Sequence, residues 1–129
     1  MNYNEALEYI HSVSWKGSVP GLSRISKLLS LMGNPEQKLK YVHIVGTNGK
    51  GSTASIITSV LKSAGYKAGM YTSPFIVSFN ERIQINGEMI SDKCLAEITE
   101  YIKPFADSME DRPTEFELVT AVAFEYFYR

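Results

Sequence analysis

The chain has 129 residues, of which 44% are hydrophobic and 21% charged, so it suits one soluble globular core and no more than one domain. Its formal net charge of −1 argues against nucleic acid as a bulk partner. The single cysteine, Cys94, excludes an internal disulfide and a metal cluster built from several cysteines. The N-terminal residues lack the basic-plus-apolar pattern of a signal segment and no apolar run approaches ~18 residues, so we expect a cytoplasmic protein without a membrane partner.

Two amphipathic helices are predicted in the first third of the chain. Apolar residues recur at helical spacing over Asn4–Val13 and again over Leu22–Met32, whose apolar face begins at Leu22. Ser23 is a plausible cap for the second helix. The segment between them, Ser14–Gly21, contains two glycines, a proline and the only tryptophan, and therefore predicts a loop.

A short strand, a glycine-rich loop and a third helix are predicted next. Tyr41–Val45 is rich in β-branched and aromatic residues, and the helical pattern after the loop ends at Gly65. Glycines let such a loop wrap closely round an anion, and the N–H groups of the helix's first turn point at it. Lys50 adds a positive charge that can reach outer phosphates. The stretch predicts a phosphate-binding loop, and a plain turn with a solvated lysine is the alternative. The loop residues are Gly46, Thr47, Asn48, Gly49, Lys50, Gly51 and Ser52.

Lys67–Thr72 is predicted to be a second strand. Short links between two strands and the helix between them favour a right-handed unit with parallel strands. Ser73 then falls at the carboxyl edge of the sheet, where ligands of open α/β sheets bind. An ordinary turn is the alternative for this position.

The segment Pro74–Asn80 contains three large apolar side chains, among them Phe75 and Phe79, and has no helical period. These side chains form either a wall of a substrate site or a small cluster tucked under the loop. Arg82 follows, and it either pairs with Glu81 or binds a substrate carboxylate bidentately.

A hairpin and a fourth helix are predicted after this loop. Asn86-Gly87 between Arg82–Ile85 and Glu88–Ile90 is a strong signal for a type I′ turn. A helix then begins at Ser91 or Asp92, and Pro104 is expected to close it.

The last segment combines a cap with an unusually apolar helix. The spacing of Thr114 and Glu117 predicts a capping box. The helix Phe116–Tyr128 is apolar nearly all round, so it needs cover on both sides. Only two parallel strands precede it, whereas a parallel sheet needs more strands to bury both faces. We therefore expect a domain that is cut part-way through.

Four sequence motifs, one of them in two parts, together resemble one enzyme family. The loop departs from the usual G-x-x-x-x-G-K-[ST], because Gly51 separates the lysine from Ser52. The string GTNGKGS resembles folylpolyglutamate synthases and dihydrofolate synthases, a branch of the Mur ligase superfamily. The other stretches that resemble motifs of this family, in the family's order, are Pro20–Arg24, Tyr71–Phe75, Asn80–Ile83 and Thr114–Glu117.

The resemblance implies a fold and an activity. The fold is α/β: a P-loop, Mur-ligase-like ATP-binding domain with a mostly parallel sheet flanked by helices and a short N-terminal helical segment. Residues 1–129 would be the N-terminal part of that domain, truncated at the C-terminus, and the C-terminal glutamate-ligase domain would lie outside. The implied reaction adds L-glutamate to a folate or dihydropteroate carboxylate through an acyl phosphate, with ATP and Mg²⁺. The full-length protein would be a monomer, and this polypeptide alone inactive.

The resemblance also implies site residues. ATP would lie on residues 46–52 with Lys50 as the catalytic residue, and Ser73 and Ser52 would hold the metal. Two alternatives stay open: another P-loop Mur-type ligase or kinase, and a non-catalytic nucleotide- or folate-binding fragment. The residues implied in the folate or pterin site are Val19, Pro20, Gly21, Leu22, Arg24, Phe75, Arg82, Thr114, Glu115, Phe116 and Glu117.

Overall fold

A computed structural model describes residues 1–13, 17, 19–45, 49–73 and 77–129. These form two compact units, one made of Met1–Leu39 with Asp92–Arg129 and the other of Lys40–Ser91. The predicted roles of residues 46–48 and of Phe75 lie outside the described residues. The helices are α1 Tyr3–His11, α2 Ser23–Leu31, α3 Lys50–Ser63, α4 Asp92–Asp107 and α5 Glu115–Tyr128, with 3₁₀ turns at Pro35–Lys38 and Phe79–Arg82. The strands are β1 Gly69–Tyr71, β2 Ile83–Ile85 and β3 Glu88–Met89.

Helix α5 is the central element of the first unit. It is packed against α1, α2, α4 and the 3₁₀ turn Pro35–Lys38. These elements cover much of its apolar surface, and half of its residues are buried. The largest side chains of this core that are fully buried are Ile10, Leu28, Leu95, Ile98, Ile102, Val119 and Val122.

Helix α2 begins differently from the prediction. Ser23 is its first helical residue rather than its cap, and Leu22 occupies the N-cap position with no side-chain hydrogen bond. Leu22 is 76% exposed, so it does not belong to the buried face of the helix. The buried face starts with Arg24 instead, because a polar partner within the unit makes burial of this charged side chain possible.

Pro104 does not end α4, which continues to Asp107. A proline lacks the N–H donor of one helical bond and its ring crowds the carbonyl four residues earlier, and Pro104 lies in the last turn of α4, where few intrahelical bonds follow. The interruption therefore shortens the hydrogen-bond ladder by one bond without breaking the helix before Ala106, which is buried.

The second unit is built on a three-stranded antiparallel sheet in the order β1-β2-β3, and α3 packs against β1. Gly69 lies opposite Ile85 in the first pair, and Gln84 lies opposite Met89 in the second. The hairpin prediction is confirmed, because Asn86 and Gly87 have φ of 51° and 82°, as a type I′ turn requires.

Tyr41–Val45 does not form a strand, which corrects the sequence prediction. Val45 is 80% exposed, and a parallel strand is stable when neighbours cover both faces. The described strands pair only antiparallel, because the neighbour of β1 is β2, the first strand of the hairpin. The described residues therefore do not form the predicted unit of two parallel strands joined by a helix. The expected inward face of α3 is likewise open, with Ile56 65% exposed. Among the described residues, no helix combines the length and apolar character needed to cross a membrane.

Candidate functional site

The first turn of α3 has the backbone geometry of an anion site. Gly49 precedes the helix with φ of 75°, a left-handed conformation that glycine adopts without strain. No side chain caps this end of the helix. The carbonyl of the N-cap residue Gly49 accepts the first helical hydrogen bond, which Thr53 N donates at 3.0 Å. The N–H groups of Lys50, Gly51 and Ser52 therefore have no intrahelical acceptor, and these residues are exposed. Such an end attracts a phosphate.

Gly51 provides a separate argument for a ligand at this turn. A Cβ built on Gly51 would meet nothing within 4 Å, and its backbone is not in the left-handed region. Neither packing nor backbone conformation within the described residues requires glycine there. A glycine inside a helix is destabilising relative to alanine, so close approach of a ligand to the backbone is a physical reason to keep it.

Ser73 lies two residues after β1 and is exposed. Ser52 is also exposed, in the first turn of the helix that packs on β1. Hydroxyl oxygens suit a hard cation such as Mg²⁺, so both side chains fit the predicted metal role chemically.

Glu81 and Arg82 face different partners. Glu81 Oε1 accepts hydrogen bonds from the N–H groups of Val77 and Ser78, each at 2.9 Å, and so completes a capping box. The Arg82 guanidinium lies 5.4 Å from the Phe79 ring centroid, and its Nε donates to Thr72 O at 3.4 Å. Phe79 is buried, which assigns it to a small cluster under the loop rather than to a substrate wall.

The first unit brings together the predicted residues Arg24 and Glu117, which are 93 positions apart. Arg24 Nε donates to Glu117 Oε1 at 3.0 Å, and both side chains are buried. The same carboxylate oxygen accepts the N–H of Thr114 at 2.9 Å, while Thr114 Oγ1 accepts the N–H of Glu117 at 3.2 Å. The predicted capping box is therefore confirmed. The hydrogen bond that Arg24 donates to the Glu117 carboxylate raises the pKa of the Arg24 guanidinium.

The rest of the Arg24 guanidinium binds a loop and an aspartate. Its Nη2 donates to Val19 O at 2.6 Å and to Pro20 O at 3.3 Å, and its Nη1 to Asp111 Oδ2 at 3.4 Å. Sequence reasoning missed Asp111, because it lies in an acidic loop where carboxylates usually just face water. No local pattern marks it as a partner of Arg24.

The other predicted pterin-site residues divide by exposure. Gly21 and Leu22 are exposed, and Phe116 is 57% exposed at the first turn of α5. Glu115 is half-buried and contacts His11 Nδ1 through its carboxylate. The exposed members of the set are able to touch a ligand, whereas Arg24, Thr114 and Glu117 are buried.

Comparison with known proteins gives long and close matches. The chain is 44% identical to the dihydrofolate synthase/folylpolyglutamate synthase of Bacillus subtilis, over 97% of this chain and 30% of that protein. It is 45% identical to a crystal structure of folylpolyglutamate synthase (FPGS) from Thermotoga maritima, with a TM-score of 0.89 over 98% of this chain and 30% of that one. An FPGS complex with AMPPCP and folate has 41% identity and a TM-score of 0.91, covering 98% of this chain and 32% of that chain. No family model matches.

The chain therefore spans about 30% of the length of the relatives it matches. The likeness extends over almost all of its residues, which confirms the expected fold class. The described sheet itself has three short antiparallel strands.

Proposed function

We propose that this chain, a homologue of folylpolyglutamate and dihydrofolate synthases, is the phosphate-binding and pterin-binding portion of an ATP-dependent ligase that joins L-glutamate to a folate or dihydropteroate carboxylate. The observation that carries the proposal is the uncapped first turn of α3 after left-handed Gly49. It occurs in a chain that resembles FPGS bound to AMPPCP and folate. These ligands are those of the relative, and their binding here is part of the proposal.

The reaction activates a carboxylate, which is a poor acylating agent. A carboxylate oxygen of the folate attacks the γ-phosphorus of ATP, the bond to the β,γ-bridging oxygen breaks, and ADP leaves. The amine nitrogen of glutamate then attacks the acyl carbon, phosphate leaves with the bonding electrons, and the nitrogen loses a proton. Positioning and charge stabilisation provide most of the catalysis, so no protein nucleophile is needed.

Each site residue has a distinct role in this proposal. Residues 46–52 hold the phosphates through backbone N–H groups, and Lys50 stabilises negative charge on the transferring phosphoryl group. Ser73 and Ser52 hold Mg²⁺, which neutralises phosphate charge when it is bound. Gly21, Leu22 and Phe116 contact the pterin.

The proposal concerns the whole gene product. Because the chain spans about 30% of its relatives, the 129-residue polypeptide corresponds in this proposal to their N-terminal portion and is inactive alone. The glutamate site and further metal ligands lie elsewhere in the full-length product, which acts as a cytoplasmic monomer.

The test is a turnover assay on the full-length product of the encoding gene. We expect ADP release that requires glutamate together with folate or dihydropteroate. Lys50→Ala should abolish it, whereas Lys62→Ala, at the other end of the same helix, should leave it near normal. Near-normal turnover by the Lys50→Ala variant would contradict the role of Lys50.

Two results would favour the alternatives. Transfer of labelled γ-phosphate to a hydroxyl without any glutamate requirement indicates a kinase. Tight ATP binding by the full-length product with neither ADP release nor phosphoryl transfer indicates a nucleotide-binding module without catalysis.

A further inference from the structure

The hydrogen bonds of Arg24 are nearly all made within the protein. A guanidinium has five N–H donors, and that of Arg24 makes four hydrogen bonds to protein acceptors. Its side chain is only 7% exposed. Little of the group is therefore left to bind a substrate.

The four bonds join three separate segments. The acceptors are Glu117 at the first turn of α5, Asp111 in the loop before it, and the carbonyls of Val19 and Pro20. A planar guanidinium can direct donors to several acceptors at once, whereas a lysine ammonium acts as a point charge. The arrangement therefore depends on arginine in particular.

The carbonyl bonds fix the backbone just before two exposed residues. The Nη2 bond to Val19 O, at 2.6 Å, is short and charge-assisted. Gly21 follows with φ of 118°, and Leu22 is largely exposed. Holding the carbonyls of Val19 and Pro20 therefore sets the direction in which Gly21 and Leu22 face solvent.

We propose that Arg24 and Glu117 form a buried clamp that holds the Val19–Leu22 segment in its binding conformation. Arg24 is then a positioning residue for the pterin and makes no contact with it. This inference rests on the proposed function and assigns the pterin contacts of this unit to Gly21, Leu22 and Phe116.

Glu117 ties the clamp to the start of α5. Its Oε1 accepts both Arg24 Nε and the N–H of Thr114, so the capping box and the ion pair share one atom. Removing the Arg24 charge leaves the Glu117 carboxylate buried without its ionic partner, and removing the Glu117 charge leaves Arg24 only the longer contact with Asp111 at 3.4 Å. Loss of the Glu117 charge should therefore disturb the Val19–Leu22 segment nearly as much as loss of the Arg24 guanidinium.

Steady-state kinetics on the full-length product test the clamp. We expect Arg24→Lys and Glu117→Gln each to raise KM for the pterin substrate about tenfold, the order expected for a lost charge-assisted bond. KM for Mg-ATP and kcat should change less than about twofold. The double variant should raise KM for the pterin substrate by less than the product of the two single effects, because both changes break the same ion pair.

The ion pair Glu125–Arg129 at the other end of α5 provides the controls. Glu125 is buried, the Arg129 side chain is 44% exposed, and Arg129 Nε donates to Glu125 Oε1 at 3.1 Å. Neither side chain hydrogen-bonds the described Val19–Leu22 segment. Glu125→Gln and Arg129→Lys should leave KM for the pterin substrate unchanged. A tenfold rise in either control would mean that any damage to α5 has this effect, and would overturn the clamp.

A direct role for Arg24 predicts a different pattern. If Arg24 touches the substrate, Arg24→Lys alone raises KM, and Glu117→Gln leaves it unchanged or lowers it. That result overturns the proposal. If Arg24→Lys does not fold, Glu117→Gln carries the test, since its amide oxygen still accepts the N–H of Thr114.

Hydrogen exchange without substrate is the second readout. Amides of Gly21 and Leu22 should exchange faster in both clamp variants than in the wild type, and unchanged exchange would overturn the clamp. This measurement does not need activity. Absence of glutamate-dependent ADP release in the wild type would defeat the proposed function, while the exchange result would still decide whether the clamp holds the loop.

Discussion

Thr72 and Arg82 are joined by two hydrogen bonds that run in opposite directions. Thr72 N donates to Arg82 O at 2.9 Å, and Arg82 Nε donates to Thr72 O at 3.4 Å. The first bond extends the β1–β2 pairing by one residue, and the second adds a side-chain link to the peptide that precedes Ser73. Arg82 is thus placed to fix the backbone that presents the predicted metal ligand.

We therefore expect Arg82→Ala to raise the Mg²⁺ concentration needed for half-maximal activity of the full-length product several-fold. Loss of the cation–π contact with Phe79 should also lower the stability of the 129-residue chain by about 1 kcal/mol. Gln84→Ala is the control, because it removes a different bond from side chain to backbone, that to Glu81 O at 2.9 Å. An unchanged Mg²⁺ requirement in Arg82→Ala would show that this link does not support the metal site.

Gly51→Ala should change stability and nucleotide binding in opposite directions. Alanine is the better helix former by about 0.5–1 kcal/mol, and its Cβ would meet no atom of the described chain, so urea unfolding should show stabilisation. The same Cβ would stand where a phosphate approaches the backbone, so calorimetry on the full-length product should show weaker Mg-ATP binding.

Gly49→Ala provides the contrast. At φ of 75° an alanine is strained, so this variant should lose about 1–2 kcal/mol of stability. If Gly51→Ala binds Mg-ATP as tightly as the wild type, the phosphates do not approach that turn.

Thr114→Ala should destabilise the 129-residue chain by about 1 kcal/mol, the usual value of a lost N-cap. Thr114 is buried and its Oγ1 accepts the N–H of Glu117, so the change leaves a helix donor unpaired. Thr114→Ser should retain most of the stability. Thr120→Ala, which removes a hydroxyl that bonds Phe116 O within the same helix, should change the free energy of unfolding by less than about 0.5 kcal/mol.

The contact between Tyr9 and Asp107 should make stability depend on pH at both extremes. Burial, followed by the hydrogen bond to Asp107, raises the pKa of Tyr9 to about 12. Burial alone would raise the pKa of Asp107, but hydrogen bonds from Lys103 and Tyr9 outweigh it and lower the pKa.

The lowered pKa of Asp107 and the raised pKa of Tyr9 make stability fall at opposite ends of the pH range. A lowered carboxyl pKa stabilises the fold above the ordinary value of 3.8, and this contribution is lost as pH falls through the folded-state pKa. A raised phenol pKa contributes stability below pH 10, which is lost as pH rises from 10 to about 12. Lowering the pH should therefore reduce the urea midpoint less in Asp107→Asn than in the wild type. Raising the pH above 10 should reduce it less in Tyr9→Phe than in the wild type. Equal slopes in wild type and variants would contradict the assignment.

Three local features followed from the sequence, whereas the predicted Ser23 cap of α2 and the predicted end of α4 at Pro104 were wrong. The Asn86-Gly87 turn, the Thr114 capping box and the glycine that ends α3 each depend on residues within about four positions of one another. Their hydrogen bonds close over short loops, so residue type and spacing are enough to predict them. The phosphate-loop prediction shares this character, although residues 46–48 lie outside the described part.

Two outcomes required the tertiary structure. Tyr41–Val45 has the composition of a strand, but strand formation depends on a neighbour that composition does not name. Arg24 is a charged residue in an amphipathic helix, and only packing brings Glu117, 93 positions away, into contact with it. Sequence by itself determined the hairpin turn and the Thr114 capping box, because their partners are local. The tertiary fold decided which strands pair and which charged side chains form ion pairs, because these partners are distant in sequence and come together only when the core is buried.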